Sequence, residues 1–333
     1  MKLHDNKRSF REAIELTAQD LEIYPEFVEK DYWICQILQN LSRNLAAKKT
    51  VWKGGTSLSK AYGLIARFSS DVDFAILGEG LSQNQQKKLV ARIGHESTTG
   101  MDEVEKPDTV KNNRFRKTYH VYKSVLDGIN RGTSNVMSNQ VIVEINTYGN
   151  PYPYEKREIK PFITEMMESR GLNDMIADLD MKPFVLNVLD KRRTLCEKVV
   201  SLLRFSFEDD PTAGLISKIR HFYDLHFLLG DKECSDYVAG DLKQNLVELI
   251  EHDKREFDRP PKWRDAPILS SPLIADFDST WSKIASVYQS ELSVLSYRTI
   301  PGPNEIADSM KRLIKVVIDA VRYKPSRMSS RQA

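Results

Sequence analysis

Lys53-Gly54-Gly55-Thr56-Ser57-Leu58-Ser59-Lys60, followed by Arg67-Phe68-Ser69-Ser70-Asp71-Val72-Asp73-Phe74, is the stretch on which the reading of this chain turns. In a strand, residues i and i+2 point to the same face. Asp71 and Asp73 therefore project together, while Val72 and Phe74 face a core. Two carboxylates so close repel each other unless a cation lies between them. An all-oxygen pair of this kind suits Mg2+, which takes one or two carboxylates and completes its shell with phosphate oxygens and water. Alone, such a pair is also an ordinary solvated strand end. What precedes it adds weight: a β-prone run at 50–52, the glycine pair, and a helical stretch at 57–65. Two glycines let the backbone approach a phosphate closely, a helix N-terminus offers free N–H groups, and Thr56 or Ser57 adds a hydroxyl. The loop is not of the Walker A type, because GxxxxGK[ST] is absent. Gly54, Gly55, Thr56 and Ser57, with Lys60 and Arg67 at the motif ends, are the expected nucleotide-binding residues.

Working outward, residues 8–47 read as helical, with Pro25 placed where a helix can begin. Residues 72–77 are apolar and β-prone, residues 83–93 have helical propensity, and residues 114–122 and 141–148 read as strands. In the last of these, Val141, Val143 and Ile145 share one face and Ile142, Glu144 and Asn146 the other. Glu144 is either a solvated carboxylate or the third acidic group of a metal site, and with a metal pair to complete it is the candidate.

The second half is mainly helical, with clear helices at 191–207 and 215–229, others at 241–257 and 304–323, and a proline-rich loop at 259–272. Lys198 lies at the edge of the apolar face of the first helix. There it either snorkels to water or reaches into a cleft as a point charge for phosphate. The helix at 215–229 is apolar nearly all round and so reads as buried. It nonetheless carries Asp224, which needs a partner: Arg220 in a structural ion pair, or Lys198 or a nucleotide group in a functional one. These textures divide the chain into an α/β domain with N-terminal helices over 1–155, a mainly helical domain over 156–325, and a disordered polar tail over 326–333.

Composition narrows the class. The 333 residues are 41% hydrophobic and 29% charged, which is globular and ample for a core. No run approaches the roughly 18–20 apolar residues of a membrane span, and the first residues lack the apolar region of a secretion signal. Cys35, Cys196 and Cys234 are widely spaced and form neither a metal pair nor an even disulfide set, so reduced thiols in the cytoplasm are expected. A net charge of +2 neither demands nor excludes nucleic acid. The local basic candidates are Arg114-Phe115-Arg116-Lys117, in an aromatic-interleaved strand, and Lys191-Arg192-Arg193.

Together these pieces resemble the AbiEii/AbiGii nucleotidyltransferase toxins, the toxin halves of AbiE-type toxin–antitoxin pairs, which include the MenT toxins. The resemblance rests on Glu29-Lys30-Asp31-Tyr32-Trp33, on the 53–62 and 67–73 motifs, on Glu197-Lys198-Val199, and on Arg220-His221-Phe222-Tyr223-Asp224-Leu225, over roughly residues 10–230. One departure is Ser70, where many members have Glu. The resemblance implies an α+β fold: a polymerase-β-like nucleotidyltransferase core with an N-terminal helical segment and a helical C-terminal part. It also implies a phosphate loop containing Ser57, a metal pair in Asp71 and Asp73, a functional lysine at Lys198 and a downstream aspartate at Asp224. With Glu144 as third carboxylate, the expected chemistry is two-metal Mg2+ catalysis with an NTP substrate. The expected acceptor is the 3′ end of RNA, tRNA above all, which would block translation in a toxin–antitoxin or phage-defence setting, restrained by a cognate antitoxin. The competing expectations are nucleotidylation of a partner protein and an NTP-binding module with little turnover.

Overall fold

The computed structural model describes residues 1–126 and 138–322. The expected tail at 326–333 lies outside them. The chain splits into two compact units, Met1–Asp190 and a second beginning at Lys191. The division expected at 155/156 falls inside the first unit, because the sheet continues past it.

In the first unit, α1 (Lys7–Leu21) and α2 (Pro25–Ser42) precede β1 (Thr50–Lys53), α3 (Gly55–Lys60) and β2 (Asp71–Ile76). Next come α4 (Gln83–Ser97), β3 (Asp102–Val104), β4 (Val110–Lys111), β5 (Phe115–Val121) and β6 (Gln140–Asn146). The unit closes with β7 (Tyr154–Ile159), α5 (Phe162–Ser169), α6 (Asn173–Asp178) and β8 (Phe184–Leu189). The strands form one mixed sheet in the order β3-β5-β6-β2-β1-β8-β7, with β4 on β5. β2 runs antiparallel to β1 and parallel to β6.

Strand alternation gives the sheet two faces. Trp52, Val72, Phe74, Val143, Ile145 and Val188 share the apolar one and join a core with Phe10 and Ile14 of α1 and Ile34 and Leu38 of α2. Every residue of α2 from Phe27 to Gln39 is buried, as expected of a helix enclosed on all sides. Val51, Leu77 and Leu189 form a small apolar cluster of their own.

The second unit, within its described residues, is helical: α7 (Lys191–Phe205), α8 (Pro211–Ile216), α9 (Ile219–Gly230), α10 (Lys232–Ala239), α11 (Leu242–Glu256), α12 (Pro272–Ala275), α13 (Phe277–Leu295) and α14 (Pro303–Arg322). The single helix expected at 215–229 is two. Asp210 caps an earlier start by accepting from Thr212 N and Ala213 N, and α8 ends before Ser217. Cys35, Cys196 and Cys234 are all buried and none is in a disulfide. No helix among the described residues is long and apolar enough to cross a membrane.

Candidate active site

The face opposite the core carries charge in register. Asp73 of β2 pairs with Lys53 of β1 on one side and with Glu144 of β6 on the other, and Glu144 pairs with Lys117 of β5. Four adjacent strands thus present Lys53, Asp73, Glu144 and Lys117 in one row, two carboxylates bracketed by two ammonium groups. Asp71, two residues before Asp73, stands on the same face beside Ile142. Neighbouring strands lie about 4.8 Å apart, so Glu144 stands beside the strand that bears both aspartates. The side chains are half-buried, Glu144 at 31% exposure, and its Oε1 lies 3.8 Å from Lys117 Nζ. Lys117 is shared with Asp108, at 2.8 Å.

The glycine pair is explained by what crowds it. Gly54 has φ +87° and ψ −170°, a conformation that glycine alone adopts without strain. A Cβ there would stand 2.1 Å from Asp73 Oδ2, and a Cβ on Gly55 would stand 2.5 Å from an Arg67 guanidinium nitrogen. The turn therefore lies against the Asp73 carboxylate and the Arg67 side chain. Arg67 is buried, and its Nη1 donates to Phe68 O. Thr56 and Ser57, expected to offer hydroxyls to a phosphate, are buried and donate instead to carbonyls: Thr56 Oγ1 to Asp71 O at 2.7 Å, Ser57 Oγ to Gly54 O at 2.8 Å. The first bond ties the glycine turn to the carboxylate strand, and the second closes the turn on itself. Lys60 does not sit as a phosphate lysine would. Its Nζ lies 2.9 Å from Asp31 Oδ1 in a buried ion pair and 3.9 Å from the Phe162 ring centroid.

The stretch Glu29-Lys30-Asp31, which carries part of the resemblance but no role legible in the sequence, braces this site. Three consecutive charges on α2 are 1–3% exposed. Glu29 accepts from Ser124 Oγ and Val125 N, both at 2.7 Å, next to the end of β5. Asp31 holds Lys60 and accepts from Phe162 N. Lys30 Nζ donates to Ser70 Oγ at 2.9 Å, immediately before Asp71. Burial pushes the Lys30 ammonium down to about 8, with the Asp71 charge pulling the other way. Ser69 Oγ donates to Asp71 Oδ2 at 3.1 Å. The available signal was a run of charges inside an otherwise buried helix pattern, which only paired groups tolerate.

The donor chemistry of the charged face fits a hard divalent cation, since Asp71, Asp73 and Glu144 offer oxygen alone. Among the described residues, however, no three His, Cys, Asp or Glu side chains are gathered closely enough to cage an ion. The expected trio shares one face, and Glu144 leans toward Lys117.

In the second unit, Lys198 Nζ lies 2.7 Å from Asp224 Oδ2, at 6% and 0% exposure. Pairing of Asp224 with Lys198, one of the alternatives open from sequence, is present in this geometry. The basic clusters are largely compensated. Arg116 pairs with Glu103, Lys117 with Asp108 and Glu144, and Lys191 with Asp231 and Glu233.

No curated protein gives a match. Among solved structures, MenT4, a nucleotidyltransferase toxin of Mycobacterium tuberculosis H37Rv, superposes with a TM-score of 0.53 at 15% identity, covering 94% of this chain and 90% of that one. A protein of H. pylori described as a candidate nucleotidyltransferase matches at a TM-score of 0.40 and 15% identity, over 87% of this chain and 96% of that one. The first likeness supports the fold alone. The family assignment rests on sequence, for residues 36–293 match the profile of the nucleotidyl transferase AbiEii toxins of type IV toxin–antitoxin systems. With well over half of its length matched, the chain belongs to the AbiEii nucleotidyltransferase toxin family.

Proposed function

We propose that this nucleotidyltransferase moves a nucleotide from an NTP to the 3′ hydroxyl of an RNA acceptor, tRNA above all, with Mg2+ held by Asp71, Asp73 and Glu144. The observation that carries the reading is the register that stands Glu144 beside Asp73 on the face that Asp71 shares, against the Gly54-Gly55 turn. When bound, divalent cations would lower the pKa of the attacking hydroxyl and neutralise the triphosphate. The chain's own part is placement. Ser69 directs Asp71, Thr56 ties the glycine turn to β2, and Gly54 leaves room for the Asp73 carboxylate. Lys198, oriented by Asp224, is assigned to the triphosphate as a point charge. Arg67 and the backbone of Gly54 and Gly55 are assigned to the nucleotide. Blocking of tRNA ends in the cytoplasm would stop translation, and a cognate antitoxin encoded nearby would relieve it.

The test is incubation of the purified chain with Mg2+, total tRNA and each of four labelled NTPs. Label is expected in the RNA, from one or two of the NTPs, together with released pyrophosphate. Label in protein with none in RNA would replace the acceptor, and no pyrophosphate from any NTP would overturn the reading.

A further inference from the structure

We infer that Lys30 is a positioning residue for nucleotidyl transfer, acting through Ser70 on Asp71; the inference rests on the assignment of Asp71 proposed above. An ammonium buried to 1% exposure is costly to keep unless it is well paired. The first unit shows what good pairing is. Lys60, its side chain 5% exposed, has the Asp31 carboxylate at 2.9 Å and the Phe162 ring beneath it. Lys30 has neither. Its hydrogen bond goes to the hydroxyl of Ser70, and the carboxylate whose charge acts on it is that of Asp71. The acidic neighbours on its own helix are committed elsewhere, Glu29 to the segment after β5 and Asp31 to Lys60 and Phe162.

For stability alone, a methionine would fill the same space without the desolvation cost. What the ammonium adds is a fixed grip on the segment that leads into β2. Ser70 is held at both ends, its hydroxyl by Lys30 and its carbonyl by Ile142 N of β6 at 2.9 Å. On either side of it stand Ser69, whose hydroxyl bonds the Asp71 carboxylate, and Asp71 itself, whose carbonyl takes the Thr56 hydroxyl. Lys30 thus anchors from the core side the one short segment that sets the direction of Asp71 on the charged face. Reaction rates are sensitive to misplacement of this order, about a hundredfold for 1 Å.

The experiment compares Lys30→Met, Ser70→Ala, their double variant and Ser70→Glu with wild type, and carries Asp71→Asn as control. Melting temperature, kcat and KM for the NTP are read for each. Lys30→Met is expected to keep or raise the melting temperature while kcat falls about tenfold or more and KM stays within about twofold. Ser70→Ala should reproduce the fall. The double variant should be no worse than either single one, as for two residues on one route. Ser70→Glu, which keeps an acceptor for Lys30, should retain kcat within about threefold. A merely structural lysine would lower the melting temperature and leave kcat per folded molecule intact, and that result overturns the inference. Additive losses in the double variant overturn it too. If Lys30→Met does not fold, wild-type kcat in Ser70→Ala does the same. Full activity in Asp71→Asn would instead remove the site assignment, and the inference with it.

Discussion

Val72 and Phe74 are wholly buried, while Asp71 and Asp73, their alternate neighbours on the same strand, stay half-exposed on the other face. The same division runs across the sheet. Trp52, Val143 and Ile145 close on α2, and Lys53, Glu144 and Lys117 stand behind them in a charged row. A strand period of two lets one six-residue strand serve packing and chemistry independently. Substitutions one residue apart should therefore fail in different ways.

The largest separation is expected at Asp73 and Phe74. Asp73→Asn should reduce transfer to background while shifting the melting temperature by no more than about 2 °C, as for a half-exposed polar change. Phe74→Ala should cost about 3–5 kcal/mol of stability, a large share of a typical domain's margin, yet keep turnover per folded molecule. Urea melts and a pyrophosphate-release assay on the same preparations separate the two. An Asp73→Asn protein that is unfolded, or a Phe74→Ala protein that is folded and inactive, would break the distinction.

A smaller effect sharpens it from the apolar side, where β5 places two polar groups, Thr118 and His120, opposite Val143 and Val141. The His120 Nε2 lies 2.9 Å from Thr118 Oγ1, and burial pushes the imidazole down to about 4. The unfolded chain, near 6.5, takes the proton first as pH falls. The stability due to neutral His120 is therefore present above about pH 6.5 and lost as pH drops toward 4, by about 3 kcal/mol at most. His120→Gln should flatten denaturant midpoints over that window. An unchanged pH slope would mean that the ring is not buried neutral.

How much of this was legible in the sequence follows from the range of each signal. The pairing of Asp71 with Asp73, and of Val72 with Phe74, needs only local alternation, and both faces were readable. Glu144 could be found as the lone acid of a later strand, but its place beside Asp73 is a register set by partners some seventy residues apart, and alternation alone does not fix register. Lys60 shows the opposite failure. It follows a glycine loop as a phosphate lysine would, and only the packing of α2 reveals Asp31 waiting for it. Thr56 and Ser57 likewise carry the right hydroxyls, but the fold spends them on carbonyls. The role of Lys30 is not legible in the sequence, because the direction in which a buried helix aims one charge depends on what surrounds it. β7 is hidden in the sequence for a related reason. Tyr154–Ile159 is charged along an edge, and it reads as a strand only beside β8.

The most direct test of the central claim, that the charged face holds the divalent cation, is electron paramagnetic resonance of Mn2+ with a non-hydrolysable NTP analogue. Wild type and Asp73→Asn are titrated side by side at matched folded concentration. Wild-type chain is expected to bind Mn2+ in a nucleotide-dependent way, and Asp73→Asn to lose that binding while melting as wild type does. Equal Mn2+ binding by the two proteins would contradict the account and place the metal elsewhere.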